Sequence, residues 1–82
     1  MFFKREKPAD YVTAGAEFRR TRPDHMVETA RVISIGADGF GIPHVKYELC
    51  VEKPLTRQRL VEGVRVLALG AFADTYHERL AG

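Results

Sequence analysis

The side chains in this chain that could do chemistry are three histidines, one cysteine and several arginines. His25, His44, His77 and Cys50 are residue types that ligate metals. A metal site needs three or four ligands that converge. Here each histidine is isolated in the sequence. His44 and Cys50 share one face of a strand but stand about 20 Å apart along an extended chain. Surface or capping roles suit these residues better, and neither a metal nor a cofactor is expected. Asp74 and His77 are three apart on an expected helix and could touch. A catalytic dyad also needs a nucleophile, and the one serine, Ser34, is not placed to serve. Cys50 lies between Leu49 and Val51, so nothing cationic next to it in sequence lowers its thiol pKa. No acid–base pair or nucleophile set assembles, and the chain is not expected to be an enzyme.

Gly36, Gly39 and Gly41 could suggest a phosphate cradle. Phosphate loops lead from a strand into a helix N-terminus, whereas these glycines lead from strand to strand and read as a hairpin turn. The basic residues carry more information. Lys4, Arg5 and Lys7 form one cluster, Arg19, Arg20 and Arg22 a second, and Arg57 and Arg59 a third. With Phe18 or Phe40 nearby, Arg19, Arg20, Arg22, Arg57 and Arg59 could hold single-stranded nucleic acid by charge and stacking. Against this, the formal net charge is only +2. Solvated faces paired with Glu17, Glu28 and Glu48 explain the same residues. The other candidate surface is the long loop Gly36 to Pro43, where Asp38, Phe40, Ile42 and His44 would meet a protein partner, together with the first turn at Arg22 to His25.

The elements that must position these residues are mostly strands. Ala16 to Arg22 is a candidate first strand with Phe18 inward, followed by a turn at Arg22-Pro23-Asp24-His25. Met26 to Ile35 is the second. Its β-branched residues suit a pleated surface, but its alternation breaks. Ala30 and Val32 share one face, and Ile33 and Ile35 the other, which predicts a bend or bulge near Val32. Asp38-Gly39 is a strong hairpin signal. His44 to Lys53 alternates over ten residues, with Val45, Tyr47, Leu49 and Val51 on the buried face. Pro54 breaks the run. A short strand is expected at about Arg57 to Val61, a tight turn at Glu62-Gly63, and a last strand from Val64 to Leu69. That strand is apolar enough to predict cover on both faces, with Val66 inward. Ala71 to Leu80 predicts a helix that docks Phe72, Tyr76 and Leu80 as one stripe. A helix this short needs the sheet beneath it.

The chain has 82 residues, 45% hydrophobic and 29% charged, which suits one globular domain. Such a domain buries only roughly 60% of its unfolded surface, so every long apolar element must join one core. Residues 1–15 read as a flexible segment leading into a single domain over 16–82. Six basic and three acidic residues between Met1 and Arg22 put most of the positive surplus there. A single cysteine excludes an internal disulfide and suits a reducing compartment. No apolar run approaches the ~20 residues of a membrane span. Met1-Phe2-Phe3 before Lys4-Arg5-Glu6-Lys7 has the wrong order for a signal peptide. A cytoplasmic protein with no membrane partner is expected.

Five strands in meander with a short C-terminal helix leave two edges and a naked face unless the sheet curls shut. The expectation is mainly β: a five-stranded antiparallel small barrel like that of Src-homology-3 domains, with the C-terminal helix. An open sheet with the helix across it is the alternative.

Phe18-Arg19-Arg20, Val27-Glu28-Thr29-Ala30-Arg31-Val32, Gly41-Ile42-Pro43-His44-Val45 and Val66-Leu67-Ala68-Leu69 resemble a family of short, uncharacterised bacterial proteins over about residues 16–76. The resemblance implies a small domain and supplies no catalytic residues. Ala30-Arg31-Val32, the Asp38-Gly39 turn and Val45-Lys46-Tyr47 are similar to the core hairpin of Tudor-like barrels. A reader of methylated cations needs an aromatic cage, and this chain has eight aromatics and no Trp. The functional expectation is a non-catalytic module that binds a protein partner, with nucleic-acid binding as the alternative.

Overall fold

A computed structural model describes residues 12–80. Among these residues five antiparallel strands form one sheet, and one short helix lies against it. The strands are β1 (Glu17–Thr21), β2 (Val27–Ala37), β3 (Pro43–Lys53), β4 (Gln58–Ala68) and β5 (Glu78–Arg79). Helix α1 (Leu69–Thr75) separates β4 from β5. The sheet order is β4-β3-β2-β1-β5. Its ladder ends at β4 on one side and β5 on the other, so the sheet is not closed into a barrel.

β3 forms where its period of two predicts. Val45, Tyr47, Leu49 and Val51 are buried, while Lys46 and Glu52 are exposed. β2 pairs with it from Val27↔Glu52 to Ala37↔Pro43, and the register shifts between Val32 and Ser34. The expected bulge is therefore present, and it changes the faces. Ile33 is the extra residue, so Ile35 returns to sit across from Val45 instead of sharing a face with Ile33.

Three sequence expectations need correction. The tight turn at Glu62-Gly63 does not exist. Gln58 to Ala68 is one eleven-residue strand, and Glu62-Gly63 is a bulge opposite Leu49 and Cys50, with Gly63 at φ 97°. A glycine in that left-handed region lets a strand step without reversing. The last strand is also not covered on both faces. Val64 and Val66 stay exposed at 48% and 59%, so Val66 is not an inward residue. The helix is shorter than expected as well. It ends at Thr75, and Leu80 lies past β5, where its N–H donates to Glu17 O at 2.8 Å. The count of five strands survives because two expected strands merge into β4 and β5 takes the missing place.

The core is built on the one face that α1 covers. Phe18 and Phe72 are fully buried and meet edge-on at 5.4 Å and 90°. Phe72 also packs on Tyr47 and on Tyr76, both at 5.1 Å. Burying each phenylalanine contributes about 2–3 kcal/mol before entropy is counted. Of the lead-in expected over 1–15, residues 1–11 lie outside the described residues. Val12 is fully buried in the core, and Gly15 N–H donates to Val32 O at 2.8 Å.

Candidate interaction surface

The β2–β3 loop is a small built object. Asp38 sits where β2 ends, and its Oδ1 accepts the Phe40 N–H at 2.8 Å and the Ile42 N–H at 3.0 Å. The backbone closes the same loop twice more. Asp38 N–H donates to Ile42 O and Gly41 N–H to Asp38 O, each at 3.0 Å. His44 Nδ1 donates to the Ile42 carbonyl at 2.9 Å, with Asp38 Oδ2 3.8 Å away. The two amides, Ile42 first and Phe40 second, hold the Asp38 carboxyl below its usual range, and the His44 ring adds in the same direction. The left-handed residue of the loop is Gly41, at φ 78°, and not Gly39. An aspartate that satisfies backbone donors two and four residues on turns the chain without needing the Asp-Gly pair for a two-residue hairpin.

The loop holds Phe40 91% exposed and Ile42 50% exposed. At its base lies a shallow groove of about 420 Å³ lined by Ser34, Gly36, His44, Lys46 and Val66 among others. The four loop residues singled out in the sequence, Asp38, Phe40, Ile42 and His44, thus come together with distinct parts. Asp38 and His44 brace the loop, and Phe40 and Ile42 are presented by it.

The five arginines do not share one face. Arg19 pairs with Glu78 at 2.7 Å on the face away from the helix. Arg20 and Arg22 turn to the other face and converge on Glu28. Arg57 is in the turn before β4, at φ 56°, so it does not alternate with Arg59 along a strand. Arg59 lies near Cys50, Glu17, Thr29, Arg31 and Glu48 on the outer face. Opposite charges interleave there: Arg31 and Glu48 are 3.5 Å apart.

Glu28 is the functional-looking residue that sequence reasoning passed over. It was expected to be a solvated partner for the arginines, yet it is 3% exposed. Arg20 Nη1 donates to its Oε2 at 3.0 Å, Arg22 Nε donates to the same oxygen, and the Tyr76 hydroxyl donates to Oε1 at 2.5 Å. Burial alone would push its carboxyl up. The hydrogen bonds from Arg22 and Tyr76 and the charges of Arg22 and Arg20 outweigh burial, and the net direction is down. Tyr76 is pushed up, first by burial and then by the anion it faces. Both carboxylate oxygens of Glu28 are used internally, and no buried side-chain oxygen or nitrogen among the described residues lacks a partner. The cluster ties β1, β2 and the end of α1 together.

The remaining candidate groups are separate. Among the described residues no group of three or more His, Cys, Asp or Glu could hold a metal ion. Cys50 is a buried free thiol. Asp74 is in α1 and His77 beyond its end, so they are not one helix turn apart as expected. Among the described residues no helix is long and apolar enough to cross a membrane. Comparison with protein-family models, with curated proteins and with solved structures gave no match to this chain.

Proposed function

We propose that this chain is a non-catalytic interaction module that takes a protein partner on its β2–β3 loop. The observation that carries this is Phe40, 91% exposed at the tip of a loop braced by Asp38. Aromatic residues dominate the energetics of interfaces, and a loop already held in one shape spends less entropy on binding. Ile42 and the groove at the loop base extend the apolar contact. An extended peptide laid across Phe40 into that groove suits the dimensions. The finer description of the fold, the strand order of an SH3-like small barrel left open between β4 and β5, is part of the same proposal. It is supported by the meander order with a last short strand returning to β1. A lone free cysteine suits a reducing compartment such as the cytoplasm.

Nucleic acid is the competing partner. Its five arginines are divided between two faces and a turn, and three of them already face carboxylates. The test is a peptide-display selection on the purified chain, followed by ¹⁵N NMR mapping of the selected peptides. Shifts at residues 36–44 that vanish in Phe40→Ser, with the rest of the spectrum unchanged, support the proposal. Peptides that map elsewhere, or shifts only at arginine-flanking amides with short RNA or DNA, overturn it.

A further inference from the structure

We propose that β4 pairs antiparallel with β4 of a second copy of this chain, giving a two-fold dimer with one continuous sheet. This surface is distinct from the β2–β3 loop and does not depend on it.

Among the described residues β4 is an edge strand of eleven residues, hydrogen-bonded to β3 on one side. Monomeric proteins shield such an edge with lysine, proline, short length or a strand that turns away. β4 has neither Lys nor Pro, and it is not short; its charges are Arg59, Glu62 and Arg65, and the last two are of opposite sign, so they can pair across an axis rather than repel a second strand. It also exposes a row of valines: Val61 at 67%, Val64 at 48% and Val66 at 59%.

The bulge puts these valines on one face. Val66 pairs with Lys46, Val64 with Glu48 and Val61 with Cys50, all alternate residues of β3 on the side away from the helix. Without the extra residue at Glu62, Val61 and Val64, three apart, would point to opposite sides. The bulge also shifts the parity of the strand. A two-fold axis passing between Gly63 and Val64 can then match faces on both sides of itself.

In that register Leu60 meets Leu67 of the second copy, and Val61 meets its Val66. Glu62 meets its Arg65, and each pair occurs twice by symmetry. Apolar meets apolar on both faces, and no like charges stand opposite. Arg59 falls beside Ala68. Within one chain Arg65 Nη2 is already 4.0 Å from Glu62 Oε2, so the two charges sit where an exchange across the axis can occur. A bulge on an isolated edge normally turns the strand away from other sheets. Here it lies at the axis, between two short ladders. The self-complementary charge order favours a second copy over an unrelated strand.

The test is sedimentation equilibrium of the full chain, whose monomer mass is 9.3 kDa. Wild type is expected at twice that mass at micromolar concentration. Glu62→Arg and Arg65→Glu each set like charges opposite in both symmetric pairs, and each should weaken self-association by roughly tenfold. Mixing the two variants restores both pairs and should give a heterodimer. These residues are exposed, so circular dichroism should show all variants folded. A wild type that stays monomeric to millimolar concentration overturns the proposal. So does a dimer that both charge variants leave intact, because its interface then lies elsewhere.

Discussion

Glu28 carries the strongest electrostatic demand in the described structure, because an anion is buried among two guanidiniums and a phenol. Removing Arg22 or Tyr76 leaves the buried carboxylate short of a partner, whereas the two guanidiniums keep access to water. Its depressed pKa fixes the sign of a pH effect. The unfolded carboxyl titrates near ~4.3. The stabilisation from Glu28 is therefore complete above that pH and is lost as pH falls through the lower folded value. Thermal melts of wild type should show an acid limb in that range. Glu28→Gln, less stable at neutral pH, should show a much shallower one, and an equally steep limb would contradict the assignment. Pairing of the arginines with Glu28 was legible in the sequence; its burial and its bond to Tyr76 were not. Glu28 looks like any strand glutamate, and its partners Arg22, Arg20 and Tyr76 are 6, 8 and 48 residues away. The last is set by how α1 docks, which local pattern does not report.

Elements were legible where one physical rule acted alone. β3 has a period of two that runs on from Pro43 without a break, and its bounds follow from that, although Cys50 on the outer face is buried. The bulge in β2 was visible because Val32-Ile33 breaks the alternation. β4 was misread because Glu62-Gly63 has the composition of a hairpin turn. A glycine at positive φ serves a turn and a bulge equally, and only the unbroken pairing with β3 tells them apart. The β2–β3 loop gave the right residues for a partly wrong reason. Asp38 organises it, but the left-handed position is Gly41. This predicts a contrast between two open positions that have no heavy atom within 4 Å of an added Cβ. Gly41→Ala should cost about 1 kcal/mol in urea unfolding, because its backbone conformation strains any side chain. Gly39→Ala should change stability by less than ~0.5 kcal/mol. Equal costs would show that the loop does not have this shape.

At the scale of the whole molecule, the chain places its core on one face and leaves apolar side chains on the other face, along one edge and at a loop tip. Phe18, Tyr47, Phe72 and Tyr76 make the helix-covered face a contiguous aromatic cluster. Val61, Val64, Val66, Phe40 and Ile42 lie outside it. A domain with little core to spare has few apolar residues to leave in water unless contact is their role. The division can be checked by charge insertion. Tyr47→Asp should abolish the dispersed NMR spectrum, since it buries an unpaired charge. Val66→Asp should keep it, because that side chain already faces water. Loss of fold in Val66→Asp would mean the outer face is covered within the monomer.

Phe40 is the point at which architecture becomes proposed function. The most direct measurement is a ¹⁵N NMR titration of the isolated chain with a display-selected peptide, run in parallel on Phe40→Ser. The account predicts saturable shifts confined to residues 36–44 and their strand neighbours, and at least a tenfold loss of affinity in the variant, the scale expected for an aromatic hot spot. Equal binding by Phe40→Ser, with shifts centred on another surface, would contradict it.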